Sequence, residues 1–367
     1  MPQEAGGGSA APPGALLMQA MNGYLVSQAI YVAAKLGIAD LLADGPKSCE
    51  ALARAAGADE RSLRRLLRAL VSLGLFTVDE REQFRLTTLS SCLLSGVQGS
   101  VRASVLSAGE EMYRAWGDLL YSVRTGKPAF DHVFGLACYE YLKHNADSAQ
   151  SFDASMDETA APFDAVVAAC DLSGVETVID VGGGHGAFLA AMLKANPDLR
   201  AILFDAPHVV ADAPALLAAA GVAGRCAIRA GDFFRSVPGG ADACILVRTL
   251  LNWDEEHALT ILRNCHRALP SDGKLIVVEP VLPPSGVSGA DAFNDLHLLV
   301  MNGGGMATEA GLRALFAAAG FDLTRIMQTA SRLCAVEGRP VMAPQRNPEY
   351  SAPVAPRTDT PARQGYG

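Results

Sequence analysis

From Val175 onward the chain alternates short β-branched runs with amphipathic stretches of helical spacing: TVIDVGGGHGAFLAAMLKANP, AILFDAPHVVADAPALLAAAG, CAIRAGDFF, ACILVRTLL and KLIVVEPVL. Apolar runs too short for helices, separated by helical segments, make strand–helix–strand units, and such units build a mostly parallel sheet. An α/β domain is therefore predicted over 170–338. Ahead of it, from Leu16 to about Gly96, apolar residues recur at helical spacing, broken at Gly37 and stopped at Gly45–Pro46. KSCEALARAAGADERSLRRLLRALVSLGLF reads as helix, glycine turn, helix, and FTVDEREQFRLT as two short strands around a charged turn. That succession is the winged-helix pattern, placed at 14–99. Residues 100–169 read as further helices rich in aromatics, most of them core and a subset suited to lining a pocket at the domain junction. The ends, 1–13 and 339–367, are Gly-, Pro- and polar-rich and are expected to be disordered.

Composition narrows the function. A winged helix invites a DNA-binding reading, and Arg61, Arg64, Arg65 and Arg68 lie on its second helix. Glu50, Asp59, Glu60 and a net charge of −9 oppose a phosphate footprint, so no nucleic-acid partner is expected. The eight cysteines are scattered singly, with no CxxC pair and no histidines at ligand spacing, so no metal site is expected. They read as small buried hydrophobes in a reducing compartment. No leader pattern and no apolar run of membrane-spanning length is present, which predicts a cytoplasmic protein without a membrane partner.

The strongest local signal is Val178-Ile179-Asp180-Val181-Gly182-Gly183-Gly184-His185-Gly186, a strand entering a glycine turn and then a helix. Glycines let a ligand approach the backbone, and a helix N-terminus offers free N–H groups. Asp205 ends the next strand, where a carboxylate accepts hydrogen bonds from a ribose diol. Asp232, in GDFF, closes the third strand beside two aromatics suited to flanking an adenine. Any one acid reads equally as a helix cap or surface loop. Three at the ends of three successive strands point to the edge where open α/β sheets bind ligands. An acid inside the glycine motif repels a pyrophosphate and favours the cationic methionine end of S-adenosylmethionine.

Taken in order, DVGGGHGAF, FDAPHVV, GDFF, LLNWDEEHALTILRNCHRAL, KLIVVEP and NGGGMATEAGLRALFAAAGF resemble the S-adenosylmethionine-dependent O-methyltransferases of the plant-caffeate and bacterial-antibiotic class. AIYVAAKLGIADLLADGP and RRLLRALVSLGLF resemble that family's dimerisation domain. The resemblance implies a Rossmann-like class I methyltransferase domain preceded by a winged-helix-like dimerisation domain, a homodimer, no metal, and a hydroxylated small-molecule substrate, phenolic or polycyclic. It assigns cofactor binding to the positions of Asp180, Gly182, Gly184, Asp205, Asp232 and Phe233.

At the catalytic centre the chain departs from the plant pattern. The family's histidine base falls on Leu251, its first orienting acid on Glu279 and its second on Met306. Anthracycline-modifying relatives share LLNW, and carotenoid-modifying relatives share LVR in this motif. The residues left to assist are Asn252, His297 and Glu279. Asn252 reads equally as the cap of the following helix, and His297 as a satisfied, partly buried histidine. Methyl transfer driven mainly by alignment is the leading expectation, since orientation alone is worth about 7–11 kcal/mol. The alternative is a relative that keeps the cofactor but catalyses hydroxylation, decarboxylation or a pericyclic reaction.

Overall fold

The computed structural model describes residues 12–159 and 163–341. The first unit packs the helices Pro13–Met21, Gly23–Lys35, Cys49–Ala56 and Glu60–Ser72 beside a small antiparallel sheet of β1 (Lys47–Ser48), β2 (Phe76–Val78) and β3 (Gln83–Leu86), in the order β1-β3-β2. Ser48 and Asp59 cap the two central helices by accepting the N–H groups of Ala51 and Ser62. Leu63, Leu67 and Leu70 recur on one face of Glu60–Ser72 and are fully buried. Arg64 on that helix is paired with Glu60 and Glu82, at 2.7 and 2.9 Å, rather than presented to a phosphate.

The connecting segment runs from Arg102–Ser107 through a single π-type turn at Ala108–Met112 into Tyr113–Trp116. The kink is at Glu110 (φ −99°, ψ −106°). A Cβ at Gly109 would overlap the Tyr31 ring, so glycine lets this turn cross the helix Gly23–Lys35. Short helices to Thr159 and then Asp164–Ala169 lead into the second unit.

That unit is built on β4 (Thr177–Val181), β5 (Arg200–Asp205), β6 (Cys226–Ala230), β7 (Ala243–Val247), β8 (Lys274–Glu279), β9 (Phe321–Gln328) and β10 (Cys334–Pro340). They form one sheet in the order β6-β5-β4-β7-β8-β10-β9. The first five are parallel, and β10 pairs antiparallel with β8 and β9. Alternate residues serve two cores: Val178, Ile276 and Val278 one face, Ile179, Leu275 and Val277 the other. Burial on both faces is what a parallel sheet covered by helices requires. The chain leaves β4 toward β5 on one side and returns to β7 on the other, so the crevice of the topological switch opens at the C-terminal ends of β4 and β7.

The expected disordered ends lie outside the described residues for 1–11 and 342–367. Their inner edges are ordered: Pro13 opens the first helix, where its missing N–H costs nothing, and Arg339 and Pro340 complete β10. The cysteines form no disulfides, and six of the eight are buried. Among the described residues no helix is long and apolar enough to cross a membrane.

Candidate active site

β4 ends in a turn that only glycine can take. Gly182 and Gly184 have φ of +74° and +60°. A Cβ on Gly182 would stand 2.9 Å from the Thr249 methyl, and one on Gly183 2.6 Å from the Asp180 carboxyl carbon. A Cβ on Gly184 would meet nothing within 4 Å, so this backbone faces open space. Asp205 at the end of β5 fixes the turn by accepting the Gly184 N–H at 2.9 Å and the Ala206 N–H at 2.6 Å. Asp180 beneath the turn is 0 % exposed, and among the described residues neither of its carboxylate oxygens has a partner. Burial, with the nearby Asp205 charge adding to it, pushes its pKa up to about 7. Asp232 lies two residues past β6, exposed, its carboxylate accepting the Phe234 N–H at 2.8 Å. Phe233 is half-buried, edge-to-face with Phe234 and Trp253 at 4.8 and 6.0 Å between ring centres.

Beyond β7 lies the segment where the plant base would stand. Arg248 adopts a left-handed backbone (φ +53°) and its carbonyl accepts the Asn252 side-chain amide at 2.8 Å. Leu250–Asn252 form a 3₁₀ turn. Leu251 packs with Leu298 and Met306 in an apolar cluster, each below 9 % exposed, and Met306 also donates its N–H to the Asp295 carboxylate at 2.6 Å. The positions of the family's base and second acid are thus occupied by two hydrophobes that touch the same cluster. The turn is clamped by the glycine run: Gly305 donates its N–H to the Leu251 carbonyl at 3.0 Å, and a Cβ on Gly304 would overlap that carbonyl.

The three candidate helpers fare differently. Glu279, at the end of β8, is buried and accepts the Leu251 N–H at 3.0 Å, with burial pushing its pKa up to about 7. Its carboxylate thereby holds the backbone of the turn. Asn252 is not the helix cap, because Asp254 fills that position by accepting the His257 N–H at 2.9 Å. The Asn252 amide is committed to the Arg248 carbonyl instead. His297, on the helix Gly289–Asn302, accepts the Trp116 indole N–H on Nδ1 at 2.9 Å, and the rings lie 6.1 Å apart at 18°. Burial holds its pKa below the ordinary value.

Of the other histidines, His185 faces Asp153 at 3.9 Å across the glycine turn. His208 stands in a turn, and His266 is half-buried against Phe321. Sequence reading did not single out Arg248, nor Tyr139 and Trp116 from among the aromatics of 100–169. Tyr139 packs between Phe152 and Trp253, at 6.2 and 5.5 Å. Burial, then Cys138 and Asp205, raise its pKa, and Arg248 opposes them. Arg248 carries the strained backbone, and Trp116 sits on His297.

An orphaned, desolvated carboxylate, a glycine backbone facing empty space and an acid tying that turn to the next strand fit a cationic adenosyl ligand such as S-adenosylmethionine. The comparisons with known proteins agree. The profile of the O-methyltransferase domain matches residues 116–322, and that of the O-methyltransferase dimerisation domain residues 18–96. The chain is 45 % identical over 333 residues to a phenazine O-methyltransferase of Lysobacter antibioticus, covering 90 % of this chain and 98 % of that one. It superposes on the mitomycin 7-O-methyltransferase MmcR with a TM-score of 0.86 at 33 % identity, covering 89 % and 98 % of the two chains. It also superposes on NcsB1, an O-methyltransferase from neocarzinostatin biosynthesis solved with S-adenosylmethionine and 2-hydroxy-5-methyl naphthoic acid, with a TM-score of 0.78 at 32 % identity. That match covers 86 % and 96 % of the two chains. The chain belongs to the O-methyltransferase family: it is an S-adenosylmethionine-dependent methyltransferase whose catalytic domain follows the family's dimerisation domain.

Proposed function

We propose that this enzyme methylates a hydroxyl of a hydrophobic phenolic or polycyclic secondary metabolite, and that it does so by alignment without a protein base at the motif preceding Trp253. The observation that carries the reading is the buried apolar cluster of Leu251, Leu298 and Met306 beside a complete glycine turn. No leucine or methionine side chain takes a proton, so on this reading the hydroxyl ionises by its own acidity. When bound, S-adenosylmethionine supplies an electrophilic methyl on a sulfonium. Asp180 complements its cationic methionine end, Asp205 its ribose, and Asp232 and Phe233 its adenine, while Gly182 and Gly184 let it approach the backbone. Glu279 and the amide of Asn252 hold the 248–252 segment in place, and the apolar cluster excludes water from the reacting oxygen. The test is incubation with methyl-labelled S-adenosylmethionine and a panel of hydroxyarenes, including hydroxyphenazines and hydroxynaphthoic acids. Label in an aryl methyl ether, matched by release of S-adenosylhomocysteine, is the expected result. An unlabelled product formed without cofactor consumption, or label on nitrogen or carbon alone, would refute the reading.

The assembly is read as a homodimer formed through the first two helices. Leu16, Leu17, Met18, Met21, Tyr24 and Leu25 are each more than half exposed in the single chain, an apolar stripe that a monomer would leave in water. Substituting Leu17 and Met21 together by Glu places unpaired charges in that contact at about 3–5 kcal/mol each. The double variant is expected to sediment as a monomer, and an unchanged dimer would place the interface elsewhere.

A further inference from the structure

Trp116 and His297 are far apart in the chain, on the helices Tyr113–Trp116 and Gly289–Asn302, yet their side chains are joined by one directed hydrogen bond. An indole nitrogen only donates, so the Nδ1 of His297 must hold a lone pair. A neutral imidazole with its lone pair on Nδ1 carries its proton on Nε2. Protonation would set an N–H on Nδ1 against the indole N–H, and burial already disfavours the cation. The next residue along, Leu298, is part of the cluster around Leu251, where the family's base would stand. Among the described residues His297 makes no second hydrogen bond, so Nε2 has no protein partner.

We infer that Trp116 fixes His297 as the Nε2–H tautomer, and that His297 therefore binds an acceptor atom of the substrate as a neutral donor instead of removing the hydroxyl proton. The inference rests on the hydroxyarene reading above and narrows it. The preferred substrate carries, in the same molecule as its hydroxyl, a hydrogen-bond acceptor such as a ring nitrogen, a carbonyl or a carboxylate. A neutral donor suits the neighbourhood of a sulfonium, which an imidazolium would repel. Trp116 is then a positioning residue. It packs with Phe130 and Met301 and follows the π-type turn at Glu110, so its indole is held by the fold. Its partner is thereby prevented from exchanging tautomers as a free histidine does.

Two measurements test this. In the full-length enzyme labelled with ¹⁵N-histidine, the ring-nitrogen shifts of His297, assigned by its loss in H297Q, are expected to report protonated Nε2 and unprotonated Nδ1 near neutral pH. Trp116→Phe, which keeps the packing but removes the indole N–H, is expected to turn that signature into a mixture of tautomers. Protonated Nδ1 in the wild type, or an unchanged signature in W116F, would overturn the assignment without touching the methyltransferase reading. The second measurement is kcat/KM with 1-hydroxyphenazine, whose ring nitrogen is an acceptor, followed by S-adenosylhomocysteine release. His297→Ala is expected to lose about tenfold, the worth of one hydrogen bond, and His297→Gln, which restores a neutral donor, about threefold. A base would cost about a hundredfold or more in both variants, and equal losses of that size would overturn the donor role. Absence of turnover with every hydroxyarene would instead fail the function, and the spectroscopic result would still decide the tautomer.

Discussion

Replacing Asp180 by Asn is expected to weaken S-adenosylmethionine binding by about a hundredfold while making the ligand-free enzyme more stable above pH 7. Both effects come from one carboxylate. It is 0 % exposed, has no hydrogen-bond partner among the described residues, and burial with the neighbouring Asp205 charge raises its pKa from 3.8 to about 7. The folded pKa lies above the unfolded one, so between roughly pH 4 and pH 7 the native state binds more protons than the unfolded chain. Stability therefore falls as pH rises through that window, by about 3–5 kcal/mol in all, since each tenfold change in proton affinity is worth about 1.4 kcal/mol. Asn resembles the protonated acid and removes that penalty. The melting temperature of Asp180→Asn should exceed that of wild type at pH 8 and match it only at about pH 3.5, below both pKa values. The loss in affinity follows from removing the one buried charge that a cationic ligand group would complement, about 1.5–3 kcal/mol for a charged hydrogen bond. Calorimetric titration with the cofactor and melting at the two pH values read both effects. Undiminished affinity would show that Asp180 does not face the ligand, and a lower melting temperature at pH 8 would show that its charge is already compensated. If the proposed cofactor contact holds, such a site stores instability that binding would relieve, the usual trade between stability and function.

The glycine turn and the sheet were legible in the sequence because their physical causes are local. Alternation within β4 and β8 sends successive residues to opposite cores, and positive φ at Gly182 and Gly184 demands glycine. The acids at the ends of β4 and β5 were found for the same reason: each is tied to its strand in sequence. The catalytic end was only half legible. The replacement of base and acid by Leu251 and Met306 could be read from position, but that they close on Leu298 is tertiary. Whether Asn252 or Asp254 caps the next helix is decided by the left-handed Arg248, whose carbonyl captures the Asn252 amide. A non-glycine residue at positive φ leaves no sequence mark. Glu279 was placed correctly at the end of β8, yet its oxygen is turned onto the Leu251 N–H, which no spacing reveals. The Trp116 bond to His297 crosses 181 positions, and nothing local announces it. Aromatics between 100 and 169 were expected to be core with a few at the pocket, and among the described residues Tyr139 packs on Trp253 and Trp116 on His297.

The second large effect concerns the acceptor itself. With hydrophobes at the positions of Leu251 and Met306, Glu279 holding backbone and His297 read as a donor, the proposed mechanism has no base at the motif preceding Trp253 for an ordinary phenol. The rate should then depend on how much of the hydroxyl is already ionised. Across a series of hydroxyarenes of similar shape at one pH, kcat/KM is expected to fall about tenfold for each unit by which the hydroxyl pKa exceeds that pH, since each unit costs about 1.4 kcal/mol to ionise. A span of about four pKa units would separate the best and worst substrates by about 10⁴-fold, more than any single side-chain deletion in this site should cost. The decisive measurement is the pH profile of kcat/KM for two accepted hydroxyarenes whose own pKa values differ by about two units or more. If alignment without a base is the mechanism, the rising limb will sit at each acceptor's pKa and move when the acceptor is exchanged. A limb fixed at one pH for both acceptors would show that a group on the enzyme takes the proton, and would contradict the account.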